Sequence, residues 1–95
     1  MFIIELTYKV SLDQIDQYLE SHVEFLDEYF ASGNFIASGR KVPRDGGIIL
    51  AIPINRTEVE AIIKQDPFYQ NQLADYKITE FVVSKKSQQL IESFS

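Results

Sequence analysis

The single histidine of this chain, His22, falls in a run of apolar residues at helical spacing. Leu12, Ile15, Leu19, His22, Leu26 and Tyr29 recur every three or four residues, so they share one face of a helix. Such a face points at a core or into a cleft. Imidazole is the one side chain whose unperturbed pKa lies near neutrality, and a partly desolvated one is a candidate general acid or base. His22 is therefore the first candidate for chemistry. A lone histidine on an apolar face is also a common core residue whose nitrogens are satisfied locally, and the spacing alone leaves both roles open.

Other polar residues offer less specific chemistry. Asp66 precedes Pro67, a pairing suited to a helix N-cap with proline at the first helical position. That role is compatible with a second one: one carboxylate oxygen can cap while the other accepts from an imidazole N–H. A His-Asp pair with no nucleophilic partner suits proton abstraction, not acyl transfer. Ser38 could hold a substrate oxygen or simply be small where a helix packs close. Arg44, beside Gly46 and Gly47, could bind a carboxylate at a pocket mouth or be a solvated turn residue. Phe68, two residues past Asp66, is the aromatic best placed to wall a pocket, whereas Phe25, Phe30, Phe35 and Tyr69 read as core. Glu80 and Tyr76 read as structural, with Glu80 able to pair with Arg40 or Lys41. The glycines at 46 and 47 serve a turn; they lack the spacing and lysine of a phosphate loop.

Composition narrows the function classes. A chain of 95 residues is one domain. Its net charge of −5 argues against nucleic acid and against anionic membrane surfaces as partners. The absence of cysteine removes thiolate chemistry and cysteine zinc sites, and one histidine cannot build a histidine-rich metal site. No metal and no cofactor motif is expected. The start, Met1-Phe2-Ile3-Ile4-Glu5, shows no secretory pattern, and no run nears the ~20 apolar residues of a spanning helix. The expected location is the cytoplasm.

The elements that must position these residues follow from periodicity. Phe2–Tyr8 alternates, with Phe2, Ile4, Leu6 and Tyr8 on one face, and predicts a first strand. Ser11 caps a helix over Leu12–Ser32 that Gly33 ends, with Gln14 completing a capping box. Phe35–Val42 predicts a second strand, and the turn at Pro43–Gly47 leads into a third, apolar on both faces, that ends at Ile52. Thr57–Gln65 predicts a second helix with Val59, Ile62 and Ile63 buried, Pro67 to about Leu73 a short helical segment, and Tyr76–Ser84 a fourth strand. Lys86–Phe94 is amphipathic enough for a terminal helix. The order β-α-β-β-α-β is the ferredoxin-like, α+β plan: a four-stranded antiparallel sheet with both helices on one face. The core spans residues 1–84, with 85–95 a tail. The second sheet face carries apolar residues that water covers poorly, and a second copy of the chain would cover them.

Five short features in register resemble the YciI-like, YCII-related family. They are His22 on the first helix, Ser38-Gly39 on the second strand, Val42–Ile49 as the hairpin, Asp66-Pro67-Phe68 after the second helix, and Tyr76–Phe81 on the fourth strand. The resemblance covers Phe2–Ser84. It implies the dimeric α+β barrel fold of muconolactone isomerase and its relatives, a homodimer, and a pocket holding His22 and Asp66. A few relatives act as dehydrochlorinases on chlorinated aromatic rings. One departure is that many relatives read Ser-Gly-Pro where this chain reads Ser38-Gly39-Arg40, which implies a more basic rim. The leading expectation is a small homodimeric, cofactor-independent enzyme of isomerase or lyase type. In it, His22 and Asp66 transfer a proton on a small, cyclic or aromatic molecule, with Ser38, Arg44 and Phe68 binding it. The alternative is a dimeric ligand-binding or accessory domain without turnover.

Overall fold

Strict alternation makes the first strand. In the computed structural model, which describes residues 1–52 and 55–89, β1 spans Phe2–Tyr8 and buries Phe2, Ile4 and Leu6 on one face. Full burial of such a side chain contributes about 1.5–3 kcal/mol. The chain continues through α1 (Leu12–Gln17), α2 (Leu19–Ala31), β2 (Phe35–Arg40), β3 (Gly46–Ala51), α3 (Arg56–Ile63), α4 (Pro67–Gln70) and β4 (Ala74–Glu80). The sheet order is β2-β3-β1-β4 and every neighbouring pair is antiparallel. This is the expected ferredoxin-like α+β architecture.

The first helix departs from expectation. The single helix predicted over Leu12–Ser32 is two, broken at Tyr18, whose backbone (φ −108°, ψ 4°) ends α1 and begins α2. Ser11 caps α1, its Oγ accepting from Gln14 N–H at 3.4 Å. The break redistributes the apolar stripe. Ile15, His22 and Phe25 are buried, whereas Leu12 and Leu19 stay 42% and 39% exposed. Asn55 caps α3 through Glu58 N–H at 2.9 Å, and Val59, Ile62 and Ile63 are buried as expected.

Register assigns the faces. Directly opposed residues in antiparallel strands share a face. Phe2, Ile4 and Leu6 oppose Ala51, Ile49 and Gly47 on one side and Glu80, Ile78 and Tyr76 on the other. This set faces the helices; Phe2, Ile4, Leu6, Ile49 and Ala51 form the core with Phe25, Phe35, Phe68 and the α3 residues, and Tyr76 and Ile78 pack against it. The outer face carries Ile3, Glu5, Ile48, Leu50, Lys77, Thr79 and Ala37. Ile49 thus belongs to the core, and Ile48 and Leu50 belong to the outer face. Within one chain the Glu80 pairing considered above does not form, because β4 and β2 lie at opposite sheet edges. Lys41 instead reaches Glu5 at 2.9 Å and Thr7 at 3.2 Å. That hydrogen bond, and the charge behind it, hold the Glu5 carboxyl below its usual range.

The fourth strand starts two residues earlier than predicted, because Ala74 and Asp75 pair with Tyr8 and Thr7. The predicted terminal helix falls largely on residues 90–95, outside the described residues. Among the described residues no helix is long and apolar enough to cross a membrane.

Candidate active site

The site is built around a carboxylate with no exposure to solvent. Asp66 is 0% exposed. It caps α4, its Oδ1 accepting from Phe68 N–H at 2.9 Å, and Pro67 follows at the first helical position. The same oxygen lies 2.8 Å from His22 Nδ1. Oδ2 accepts from the Tyr76 hydroxyl at 2.5 Å. The sequence suggested that one oxygen would cap while the other met the imidazole. The structure puts both on Oδ1 and gives Oδ2 to a tyrosine that the sequence reading left as structural.

Three elements therefore converge on one side chain: α2 through His22, α4 through the Phe68 N–H, and β4 through Tyr76. Their order in the fold explains the meeting. Tyr76 opposes Leu6 on the helix-facing side of the sheet, beneath α4. The His22 ring stacks on Phe68, with centroids 4.0 Å apart and planes 3° from parallel. Phe25 lies beyond it at 6.2 Å, and Tyr8 meets Phe68 edge-on at 6.0 Å. The imidazole is held in position and in plane.

The hydrogen bonds fix its chemistry. As a carboxylate, Asp66 accepts all three contacts, so the His22 proton sits on Nδ1. Among the described residues Nε2 has no hydrogen-bond partner. Because no buried side-chain nitrogen or oxygen among the described residues lacks one, Nε2 reaches open space. A neutral imidazole with its proton on Nδ1 offers Nε2 as a base. Burial raises the Tyr76 hydroxyl far above its ordinary pKa, and the Asp66 charge and hydrogen bond add to this. Tyr76 thus holds its proton and remains a donor.

His22 opens onto a cavity of about 370 Å³. Leu6, Leu19, Val23, Leu26, Ile49 and Phe68 make its walls apolar. Leu19, exposed by the break at Tyr18, lines this cavity. Ser38, Gly39 and Arg40 enter from β2, and Asp16 and Arg44 from α1 and the hairpin. Arg44 Nη2 donates to Asp16 Oδ1 at 2.6 Å, and that bond pushes its guanidinium pKa up. Ser38, Arg44 and Phe68 thus lie around the same cavity as His22, while Asp66 sits behind it. Tyr76 was missed because ten residues separate it from Asp66. Only its inward phase on β4, shared with Ile78, signals it.

The fold is similar to that of the 5-chloro-2-hydroxyhydroquinone dehydrochlorinase TftG from Burkholderia phenoliruptrix AC1100, solved in complex with 2,5-dihydroxybenzoquinone. The match has a TM-score of 0.72 at 15% sequence identity and covers 86% of this chain and 94% of that one. At that identity the likeness is one of fold. No curated protein matches the sequence. The model of the YCII-related domain matches residues 1–82, which spans every element described above, and the chain belongs to that family.

Proposed function

We propose that the cavity beside His22 is the active site of a small enzyme that transfers protons on a small cyclic or aromatic molecule. The observation that carries this reading is the setting of the imidazole: Nδ1 is bound to a fully buried carboxylate, while Nε2 has no partner among the described residues and the ring lines an apolar cavity. Nε2 takes a proton from an acidic C–H or O–H of the ligand. Asp66 stabilises the resulting imidazolium across 2.8 Å. Returning that proton to a different atom isomerises the ligand. Expelling an anionic leaving group instead completes an elimination, and the dehydrochlorinase activity named for the structural neighbour supports that second outcome. Ser38 and Arg44 hold polar groups of the ligand, and Phe68 walls the cavity.

The same reading includes a homodimer. Ile3, Ile48, Leu50 and Ala37 form an apolar strip on the outer sheet face, and the Lys41–Glu5 pair neutralises charge beside it. A second copy of that face buries it isologously.

The test is proton exchange in heavy water. A panel of hydroxylated and chlorinated rings and cyclic ketones is incubated with wild type and with His22→Ala, and deuterium incorporation or chloride release is followed. Turnover of a panel member that His22→Ala abolishes is the expected result. Binding of panel members at His22 with no exchange and no chloride release would instead favour a ligand-binding domain without turnover.

A further inference from the structure

The cavity wall carries three side chains of fixed charge: Asp16, Arg40 and Arg44. Arg44 and Asp16 bind each other at 2.6 Å and cancel. Arg40 has no acidic side chain within ion-pair distance among the described residues. The wall is left with one uncompensated guanidinium, on a chain whose overall charge is −5.

Its placement is set by register. Arg40 opposes Gly47, and Ser38 opposes Ile49, so both side chains rise from the helix-facing surface of the sheet. At the other end of β2 that surface is sealed: Phe35 is buried under Phe25, Tyr29 and Phe30. At the Ser38–Arg40 end it is open, and both residues are exposed. Gly47 offers no side chain to fill the space beside Arg40. A serine and an arginine with no acidic partner among the described residues thus occupy inner-face positions, with apolar walls and the His22 ring across the same cavity.

A guanidinium binds a carboxylate through two parallel N–H donors, and the pairing strengthens where walls exclude water. We propose that Arg40 receives the anionic group of the cavity's ligand, and that this ligand is a small planar ring compound bearing a carboxylate. Its ring lies along the apolar wall toward His22. This inference rests on reading the cavity as the ligand site and names the class of molecule that enters it.

The experiment is an NMR titration of the whole chain with salicylate and, in parallel, with salicylamide, its uncharged counterpart. The Arg40 Nε–H and the His22 ring protons are followed in wild type and in Arg40→Gln. Arg40 is exposed, so the substitution leaves the fold intact, and the amide spectrum verifies this. Salicylate is expected to bind about tenfold more tightly than salicylamide, with Arg40→Gln erasing the difference. Equal binding of the two probes, both moving the His22 signals, overturns the anion site and leaves the proton-transfer reading intact. Arg40-dependent salicylate binding that leaves His22 unmoved supports the anion site and counts against proton transfer. Binding of neither probe into the millimolar range overturns the inference, whatever the exchange assay gives.

Discussion

Removing the Asp66 carboxylate measures how much of the fold depends on the site. In Asp66→Ala, three donors lose their acceptor: Phe68 N–H, His22 Nδ1–H and the Tyr76 hydroxyl. An unsatisfied buried donor costs about 1–3 kcal/mol, and loss of an N-cap alone about 1 kcal/mol. The first two donors are buried and meet the full penalty, whereas Tyr76 is half-buried and can turn toward water. Water entering the vacated space recovers part of the loss, which leaves an expected destabilisation of about 3 kcal/mol. Domains of this size are stable by about 5–14 kcal/mol, so the variant folds with a much reduced margin. Asp66→Asn behaves differently. Its amide oxygen keeps the Phe68 and His22 bonds, and its NH₂ meets the Tyr76 oxygen with the donor reversed. Its expected loss is about 1 kcal/mol, with turnover falling further because no charge faces the imidazolium. Urea denaturation at neutral pH separates the two through their midpoints, provided that the slopes agree. An Asp66→Ala midpoint equal to that of Asp66→Asn would refute the assignment of three converging hydrogen bonds.

Three further outcomes are expected. Tyr76 has a raised pKa, so the folded state keeps a proton that the unfolded state releases; this stability is complete below about pH 10 and falls by up to about 1.4 kcal/mol per pH unit above it. The difference between wild-type and Tyr76→Phe urea midpoints across that alkaline window isolates the effect, and an unchanged difference would count against it. Gly46→Ala places a Cβ 1.8 Å from the Leu6 carbonyl oxygen, so the strand pair must shift. The expected cost is about 2 kcal/mol or more by thermal unfolding, and a neutral substitution would contradict the register. Ile48→Asp puts a charge on the outer sheet face without touching the core. Sedimentation of the wild type as a dimer and of Ile48→Asp as a monomer is the expected pair of results; a wild-type monomer at all concentrations rejects the homodimer.

The sequence carried the fold where one signal acted alone. The β1 alternation is uninterrupted, and Phe2, Ile4 and Leu6 are buried accordingly. Asn55 and Asp66 cap helices because their side chains bond N–H groups two or three residues on, a purely local interaction. The break at Tyr18 was not legible. No glycine or proline marks it, and the apolar spacing runs through it. The β4 start was hidden for the opposite reason: Ala74 and Asp75 are poor strand formers that become strand by pairing with β1. In the site, His22 announced itself by its isolation on an apolar face. Tyr76 gains meaning only from register, which sets it beneath α4; Arg40, marked by the resemblance as a basic rim residue, is turned inward by register on an edge strand.

The division of the cavity between core and edge bears on how such a protein can change over generations. His22, Asp66 and Phe68 are buried in the packing that keeps the chain folded, so substitutions there cost stability as well as any proton transfer. Ser38 and Arg40 sit on the outermost strand, and Arg44 in a surface turn. Ser38 and Arg40 are exposed, and substitution of such positions costs little stability, typically within about 0.5 kcal/mol. On the proposed function, ligand preference can therefore drift along β2 while the buried His22–Asp66 half stays fixed. On that reading one scaffold can serve many small molecules, with the residues that distinguish them being the ones least constrained by folding.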